Sequence, residues 1–376
     1  MCKRILVVSD CHTHPVRGGN QQCIMQYVNI LREIGFDVYF LYVDLYEARF
    51  ITDETRKYWG DHFFYYATPS WQIVCQKIRR RIEHCYYSPK LDVYYPCGLT
   101  QYVNKIHEKY GFHGLIVNYI WLSKLAECDI PIKTIFTHDV FTDRNDKLGK
   151  KDAWYSFSKD EEAKGIARFK EVLSIQDEEA SWFRKLSPHS NVRTVYSPFE
   201  FVSQPITCNK NILFFSGGGQ LNKDGLEWFL HEVWPIVEKR DSEIRLLVGG
   251  NICNNLDKSN LSGNVVLKGL YDNPDDFYTL GDICINPVFN GSGLKIKTFE
   301  ALAHGKLTIV HPHSALGVYQ PKAIPLFRSD NPTEYADVIF SFITSYDKLT
   351  ERKEKCKEYI SGLNQYILDQ YSDVFK

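Results

Sequence analysis

The hydrophobic and polar positions of the chain form short apolar runs separated by amphipathic stretches and loops. The amphipathic stretches, such as residues 21–34 and 225–238, predict helices, and Gly35 follows the first of them where a helix end favours glycine. Short apolar runs bounded by polar loops predict buried strands of a parallel sheet. They lie at residues 4–9, 38–43, 114–119, 133–137, 172–176 and 192–196, then at 211–215, 244–248, 265–267, 282–286 and 307–310. This alternation predicts an α/β fold with two doubly wound parallel sheets.

A linker separates the two series of strands. Residues 197–209 contain two prolines and several polar residues, which interrupt every periodic pattern. We therefore place a boundary near Pro205, with a first domain over residues 1–205 and a second over 206–350. From Asn331 onward the chain is predicted to be helical over 335–344, 348–360 and 363–371.

Composition narrows the class of protein. The 376 residues, 44% of them apolar, suffice for two cores, and a net charge of −1 argues against a nucleic-acid partner. The eleven cysteines are scattered singly, without a C-x-x-C pair, as expected in a reducing cytosol. A strand begins by residue 4 or 5, leaving no room for a signal peptide, and no apolar run approaches the roughly 20 residues that span a bilayer. We expect a cytoplasmic protein, either soluble or at the inner face of a membrane.

Residues 281–312 compress a strand, a glycine-bearing loop, a helix and another strand into one βαβ unit. The loop glycines allow close approach of a ligand, and the following helix N-terminus favours an anion. Lys295 and Lys297 lie in the first turn, where the helix dipole disfavours cations, so we expect them to contact a phosphate. Glu300 lies one turn further and can face the same crevice. The alternative is an ordinary surface turn with solvated lysines and Glu300 paired to Lys297 or His304.

Two further polar segments follow predicted strands. Residues 216–219, Ser-Gly-Gly-Gly, form a second candidate anion cradle with Lys223 close behind, although a triple glycine also suits a flexible turn. Residues 138–144 contain His138, Asp139 and Arg144 after the strand at 133–137. Strand carboxyl ends are where open α/β sheets bind ligands.

The runs GSGLKIKTFEALAHGKLTI (291–309) and THDVFTDR (137–144) resemble motifs of the family 4, or group 1, glycosyltransferases of bacterial polysaccharide biosynthesis. The resemblance implies the GT-B fold, with two Rossmann-like domains facing across a cleft and C-terminal helices, residues 351–376, returning to the first domain. It implies a hexosyltransferase that moves a sugar from a UDP- or GDP-sugar to a hydroxyl of a glycan or lipid-linked glycan. No cofactor or metal is expected, because lysines and helix ends supply positive charge and no D-x-D stands at a strand end.

The resemblance also implies roles for particular residues. Glu300 matches the glutamate that binds the donor ribose, and Lys223 matches a basic residue on the donor diphosphate. Ser292 stands where many retaining members carry a second glutamate, so the stereochemistry stays open. The predicted donor-binding residues are Gly218, Gly219, Lys223, Gly291, Ser292, Gly293, Lys295, Lys297 and Glu300. The predicted acceptor side, on the first domain, comprises His12, Gly18, Gly19 and Arg144.

His138 and Asp139 are the predicted catalytic residues. In an inverting enzyme Asp139 would take the proton of the acceptor hydroxyl. In a retaining enzyme the leaving diphosphate would take that proton, with His138 stabilising developing charge. A third reading of Asp139 is a helix N-cap.

Other functions stay open at the level of sequence. His12-Thr-His14 after the first strand is also how metal-dependent hydrolases begin, and a non-catalytic sugar-nucleotide-binding protein would share the donor motif. Residues 71–87 form a basic amphipathic segment with Trp71, Ile73, Ile78 and Ile82 as its apolar side. Such a segment either packs as a solvated helix or lies on an anionic membrane. The predicted membrane contacts are Lys77, Arg79, Arg80 and Arg81.

Overall fold

A computed structural model describes residues 3–45, 53–86, 90–148, 156–257, 259, 261–291, 295–319 and 324–376, with the backbone alone over 79–86. The chain divides into two compact units. Unit 1 comprises Met1–Ser197 and Tyr366–Lys376, and unit 2 comprises Pro198–Gln365. Unit 2 therefore begins eight residues before the expected second domain (206 against 198), and the chain returns to unit 1 well after residue 351.

Unit 1 contains a sheet of seven parallel strands in the order β3-β2-β1-β4-β5-β6-β7. Its interior strands are almost fully buried apolar runs, as in β1 and β4, because helices cover both faces of a parallel sheet. The strands are β1 (Arg4–Ser9), β2 (Asp37–Asp44), β3 (Phe63–Ala67), β4 (Gly114–Asn118), β5 (Ile132–Phe136), β6 (Glu171–Ser174) and β7 (Asn191–Thr194). The helices are α1 (Gly19–Glu33), α2 (Asp53–Trp59), α3 (Ser70–Tyr86), α4 (Leu99–Tyr110), α5 (Arg144–Leu148), α6 (Lys159–Ile166) and α7 (Asp177–Leu186).

Unit 2 contains a second parallel sheet, of six strands in the order β10-β9-β8-β11-β12-β13. Its strands are β8 (Asn211–Phe215), β9 (Arg245–Gly249), β10 (Val265–Gly269), β11 (Ile283–Asn286), β12 (Leu307–Val310) and β13 (Leu326–Arg328). Its helices are α8 (Gln220–Trp228), α9 (Trp234–Arg240), α10 (Pro274–Tyr278), α11 (Ile296–Ala303), α12 (Pro332–Phe342) and the first part of α13 (Tyr346–Phe375). The predicted α/β fold with two doubly wound parallel sheets is confirmed.

Several elements differ from those predicted. The strands β3 and β13 were not anticipated, because β3 is only half-buried and β13 has three residues. The helix expected over 225–238 begins at Gln220 and passes through a π-helical turn, Phe229–Val233, just before Pro235, which cannot donate a helical hydrogen bond. The three tail helices are in fact α12 and one long helix, α13, that continues through Gly362.

Candidate active site

A pocket of about 340 Å³ lies in unit 1 at the carboxyl ends of the strands. The sheet order places β1 beside β4, so the loops that follow these two strands leave in opposite directions and open a crevice between them. The pocket is lined by Asp10, Cys11, His12, Asn20, Tyr42, Tyr119, Trp121, His138, Asp139, Phe141 and Arg144. It brings together four of the predicted site residues, His12, His138, Asp139 and Arg144.

Aromatic rings form a wall of this pocket. Tyr119 stacks on Trp121 with ring centroids 4.6 Å apart, and Phe141 meets Trp121 edge to face at 5.1 Å. Tyr119 has a φ of 71°, which is uncommon for a residue with a side chain. Its N–H donates to the Phe136 carbonyl at 3.0 Å, which holds the residue at the end of β4. Flat apolar rings beside carboxylates and an arginine suit a ligand with apolar faces and polar edges.

His138 is a neutral side chain in this pocket. Burial lowers its pKa to about 3. Its Nε2 lies 2.7 Å from Asn118 Oδ1, and the Asn118 amide is oriented by its own donation to the Val8 carbonyl. Nε2 therefore carries the proton, which leaves Nδ1 as a hydrogen-bond acceptor. His138 can orient a hydroxyl through Nδ1, but a neutral ring has no second N–H for developing negative charge.

Asp139 and Arg144 form an ion pair, with Arg144 Nη2 and Asp139 Oδ2 at 3.0 Å. The other oxygen of Asp139 accepts from the Val140 N–H at 2.8 Å, and no helix begins at this residue. The Arg144 guanidinium also lies over the Phe141 ring, 5.4 Å from its centroid. The two side chains are each one-third exposed, so the carboxylate is held in place and still accessible.

The loop after β1 is organised by Gln21. Its Oε1 accepts from the backbone N–H groups of Arg17 and Gly18, and its Nε2 lies 2.5 Å from His12 Nε2. Gly18 and Gly19 thus open helix α1 at the rim of the crevice. Among the described atoms, a Cβ at Gly19 would meet nothing within 4 Å, so this position leaves open space.

The two histidines of the H-x-H motif have separate partners. His12 bonds Gln21, whereas His14 stacks on Tyr58 at 3.8 Å and bonds Thr13 Oγ1 at 3.0 Å. Within the described ranges no three His, Cys, Asp or Glu side chains are grouped to hold a metal ion. The hydrolase alternative is not supported.

In unit 2, the glycine-bearing ends of β8 and β9 meet around residues 216–219. Gly250 has a φ of +89°, and a Cβ there would lie 2.3 Å from the Ser216 carbonyl oxygen. Only glycine fits this close approach. Asn255 Nδ2 donates to Gly218 O at 2.5 Å, and Gly219 is the N-cap of α8. Lys223 lies in that helix and pairs with Glu227 at 3.6 Å.

The loop after β11 is closed by two side chains on one carbonyl. Lys295 Nζ donates to Gly291 O at 3.2 Å, and His313 Nε2 lies 2.8 Å from the same oxygen. Lys295 therefore contacts the loop itself as well as lying in the predicted anion site. Ser292 and Gly293, which were also predicted to bind the donor, lie outside the described residues.

Lys297 and Glu300 lie half-buried on helix α11, close enough for the charge of each to affect the pKa of the other. Burial raises the pKa of Glu300 to about 7, against the opposing field of Lys297. Burial likewise lowers the pKa of Lys297, although Glu300 acts to raise it. The described side chains of Lys297 and Glu300 form no ion pair within 4 Å of each other, and His304 bonds the Glu300 carbonyl and Asp275 instead of the Glu300 carboxylate. Ionisable groups whose pKa values are shifted by burial cluster at functional sites, so this part of helix α11 is a candidate ligand site.

Helix α3 presents an apolar stripe to solvent. Trp71, Val74 and Ile78 are 62%, 54% and 57% exposed, and they follow one another at helical spacing. Ile73, predicted to share the apolar side with Trp71 and Ile78, is buried instead. Lys77 is exposed, whereas the side chains of Arg79, Arg80, Arg81 and Ile82 lie outside the described residues. None of the described helices has the length and apolar composition to cross a bilayer.

Sequence reasoning missed the aromatic wall and the groups beneath it. Tyr119 and Trp121 follow β4, and their position at a strand end was the only sign in the sequence that they could line a site. Their apolar spacing instead resembles that of a buried segment. Asp10 and Asn20 flank the glycine loop and carry no motif of their own. His313 lies eighteen residues beyond Lys295, and only the adjacency of β11 and β12 brings it to Gly291.

The chain is similar to known proteins both in part of its sequence and in its fold. Residues 209–345 match the family described as "Glycosyl transferases group 1". An uncharacterised 44.6 kDa protein in the cps region of Klebsiella pneumoniae is 26% identical over an alignment of 363 positions, covering 80% of this chain and 81% of that protein. TarM of S. aureus has a TM-score of 0.66 at 12% identity, with 100% of this chain and 99% of TarM covered. Anabaena HepE, solved with UDP, has a TM-score of 0.64 at 11% identity, with 99% and 100% covered.

The family match includes residues 291–309, one of the two runs that carry the resemblance. The fold is GT-B, in which each unit is a Rossmann-like parallel sheet. Residues 209–345 of the chain are therefore similar in sequence to the group 1 glycosyltransferases.

Proposed function

We propose that the chain transfers a hexose from a UDP- or GDP-sugar to a hydroxyl of a glycan or lipid-linked glycan. The donor would bind unit 2 and the acceptor would bind the pocket of unit 1. The observation that carries the proposal is a pair of glycine-bearing loops at the carboxyl ends of the neighbouring strands β8 and β11, with the half-buried Lys297 and Glu300 on the helix that follows the second loop. HepE, a protein of the same fold, was solved with UDP.

The donor site supplies positive charge in two forms. The N-termini of α8 and α11 present free backbone N–H groups, which favour a diphosphate. Lys223, Lys295 and Lys297 add cationic side chains, and a diphosphate would compete with Glu227 and Gly291 O for two of them. Glu300 would accept hydrogen bonds from the two ribose hydroxyls. These groups account for the charge without a metal ion, and metal independence is part of the proposal.

The acceptor pocket offers a flat aromatic wall with a polar rim. A hexose ring has apolar C–H faces and hydroxyl edges, which match Trp121 and Tyr119 on one side and Asp139 and Arg144 on the other. Transfer requires a hydroxyl to lose its proton as it attacks the anomeric carbon. Asp139 is the group with the geometry of a base, and His138 Nδ1 would orient the same hydroxyl.

Binding of the donor tests the proposal directly. Thermal shift with UDP-, GDP- and ADP-sugars should raise the melting temperature for one nucleotide class, because a ligand that binds the folded state stabilises it. Glu300→Ala should abolish that shift, whereas Glu354→Ala, at an exposed position of α13, should keep it. A wild-type protein that responds to no nucleotide sugar would contradict the proposed donor site.

Contact with a membrane is a second part of the proposal. Trp71, Val74 and Ile78 form an exposed apolar stripe beside Lys77, and the sequence continues with Arg79, Arg80 and Arg81. Each basic residue near an anionic surface is worth about 1 kcal/mol, so the protein would sit at the cytoplasmic face of a membrane where lipid-linked acceptors lie.

Sedimentation with liposomes distinguishes binding of helix α3 to a membrane from a helix whose exposed side only faces water. Wild type should pellet with vesicles containing phosphatidylglycerol and stay in solution with neutral vesicles. A triple change of Trp71, Val74 and Ile78 to serine should weaken pelleting, whereas Tyr346→Ser, at an exposed aromatic of unit 2, should not. Equal pelleting of the triple variant and the wild type would remove helix α3 from the proposal.

A further inference from the structure

The segment that carries Asp139 is attached to a carboxylate in the core of unit 1. We call residues 137–144 the Asp139 loop. Glu162, on helix α6, is fully buried beneath it. Nothing in the sequence motif THDVFTDR points to this residue, which lies eighteen positions after Arg144.

Both oxygens of Glu162 accept hydrogen bonds from the Asp139 loop. Oε1 accepts from the Phe141 N–H at 2.7 Å, and Oε2 accepts from the Thr142 N–H at 3.2 Å. The Thr142 hydroxyl makes a short hydrogen bond to Oε2, and the Trp182 indole N–H donates to the same oxygen at 3.2 Å. Four donors therefore converge on one buried carboxylate.

Burying the Glu162 carboxylate costs free energy unless its oxygens accept hydrogen bonds. Burial raises the pKa of Glu162, and the hydrogen bonds from Thr142, Phe141 and Trp182 act in the opposite direction. A buried carboxylate needs such partners, and charge-assisted hydrogen bonds are the stronger kind. Loss of the carboxylate would leave two consecutive backbone N–H groups buried without an acceptor.

The two backbone groups bound by Glu162 lie between Asp139 and Arg144. The far side of the loop is fixed independently, since Phe157 exchanges backbone hydrogen bonds with Phe141 and Asp143 at 3.0 Å each. His138 and Asp143 have φ values of 63° and 51°, so the loop follows a left-handed path at both ends. A backbone with such turns holds a single geometry when it is bound along its length.

We propose that Glu162 is a positioning residue that fixes the Asp139 loop, and with it the Asp139–Arg144 pair, in the geometry needed for the acceptor. This inference rests on the proposed function of the pocket. Glu162 touches neither substrate; it acts through the two amides of the loop. A displacement of the order of 1 Å at a reacting group costs about a hundredfold in rate. Loss of the Glu162 carboxylate is therefore expected to lower activity strongly.

Glu162→Gln tests the proposal, because the amide keeps the shape of the side chain and loses the charge and one acceptor. Glu161→Gln is the matched control: it lies on the same helix, removes the same charge and contacts the Leu91 N–H instead of the loop. With p-nitrophenyl hexosides as acceptors and the nucleotide sugar found by thermal shift, Glu162→Gln should raise the acceptor KM and lower kcat/KM about tenfold or more. The donor KM should stay unchanged.

A purely structural role predicts a different result. Partial unfolding lowers the active fraction, so kcat falls while both KM values stay as in the wild type. That outcome, or full activity in Glu162→Gln, would overturn the proposal. If Glu162→Gln does not fold, Thr142→Val and Trp182→Phe each remove one donor and leave the glutamate, and the same rise in acceptor KM is expected.

Amide hydrogen exchange distinguishes failure of this inference from failure of the proposed function. The amides of Phe141 and Thr142 should exchange slowly in wild type and faster in Glu162→Gln, with no change in Glu161→Gln. If wild type transfers no sugar, the proposed function fails, and exchange still decides whether Glu162 holds the loop. Unchanged exchange in Glu162→Gln would overturn the inference even in an active enzyme.

Discussion

At the scale of single residues, several acids of this chain are buried with few compensating partners. Glu179 on helix α7 is almost fully buried, and Gln176 Nε2 donates a hydrogen bond to its Oε1 at 3.3 Å. Burial, and next the negative field of Asp139, raise the pKa of Glu179 to about 8. Glu300 shows the same effect to a smaller degree. Such groups couple the stability of the fold to pH.

Glu179 gives a prediction with a definite sign. Its pKa rises from an ordinary 4.5 to about 8, so between these values the unfolded chain loses the proton that the folded chain keeps. The free energy of unfolding should therefore fall as pH rises through this window, by about 1.4 kcal/mol for each pKa unit as an upper bound. Melting temperatures of Glu179→Gln should fall less than those of wild type between pH 5 and 8.

Glu178→Gln is the control for this measurement, because Glu178 is the exposed neighbour on the same helix. All other acids titrate alike in the three proteins, so the difference between curves isolates Glu179. Parallel curves for Glu179→Gln and wild type would show that Glu179 ionises normally in the folded state.

Asp139→Asn tests the proposed base. The amide keeps an oxygen for the Val140 N–H but cannot take a proton, so kcat should fall by roughly 10²–10⁴. Donor binding should be unchanged, since the donor groups lie in unit 2. Asp143→Asn, in the same loop but exposed, should stay within about threefold of wild type. Retention of most activity by Asp139→Asn would favour the mechanism in which the diphosphate takes the proton.

Local sequence spacing predicted some of the site residues and could not predict others. Lys297 and Glu300 are one turn apart on a helix, so their proximity follows from the sequence alone. The contact of Glu162 with Phe141 joins two segments that are separated along the chain by a β-bridge and by a stretch outside the described residues. No periodic pattern in the sequence indicates this contact. Even the pKa of His138 depends on the rings that surround it rather than on its motif.

At the scale of elements, helix α8 packs against the loop after β11 through a glycine. A Cβ at Gly225 would lie 2.8 Å from Val288 Cα and 3.0 Å from the Pro287 carbonyl oxygen. Both neighbours are backbone atoms, which cannot rotate aside. The close packing of α8 therefore sets the course of residues 287–291, the chain that leads into the donor loop.

Gly225→Ala should destabilise unit 2 by about 1–3 kcal/mol and weaken nucleotide binding, because the methyl group pushes the loop and helix apart. Gly362→Ala is the converse case: Gly362 lies inside α13, and a Cβ there would meet nothing within 4 Å among the described atoms. Gly362→Ala should raise the free energy of unfolding by up to about 1 kcal/mol. Denaturant unfolding and UDP titration would measure both; a neutral Gly225→Ala would contradict the packing described.

The bounds of an element could be predicted from the sequence where a single pattern, such as a buried apolar run, defined it. Buried apolar runs located β1, β8 and β12 to within a residue. The break expected near Ser361 and Gly362 does not occur, because α13 buries Ile360, Leu363 and Ile367 along one side and tertiary packing outweighs the low helix propensity of glycine.

At the scale of the whole molecule, the final turns of α13 belong to unit 1. Tyr371, Val374 and Phe375 are buried there, and His113 Nε2 lies 2.9 Å from the Phe375 carbonyl. Gly114 is needed for this contact, since a Cβ would lie 2.6 Å from the Phe375 ring. The sequence-based expectation of helices returning to the first domain began at residue 351, and the structure assigns the chain to unit 1 from Tyr366.

Truncation after Gln365 should therefore damage unit 1 selectively. Each fully buried apolar side chain is worth about 1.5–3 kcal/mol, so loss of three approaches the stability of a typical domain. Calorimetry should show a lower or missing transition for unit 1, with a remaining transition that UDP still raises. Removal of Lys376 alone, which is exposed, should leave both transitions in place. An unchanged melting profile after truncation would show that unit 1 folds without the helix end.

The path of the chain through the two units has an evolutionary consequence. Unit 2 is one uninterrupted insertion, Pro198–Gln365, with sequence of unit 1 on both flanks, and the family match falls entirely inside it. Recombination at two junctions would exchange the whole of the proposed donor-binding unit and leave the proposed acceptor pocket of unit 1 unchanged. Donor preference and acceptor preference are then separately heritable traits, and chimaeras spliced at these junctions are the natural way to re-target the enzyme.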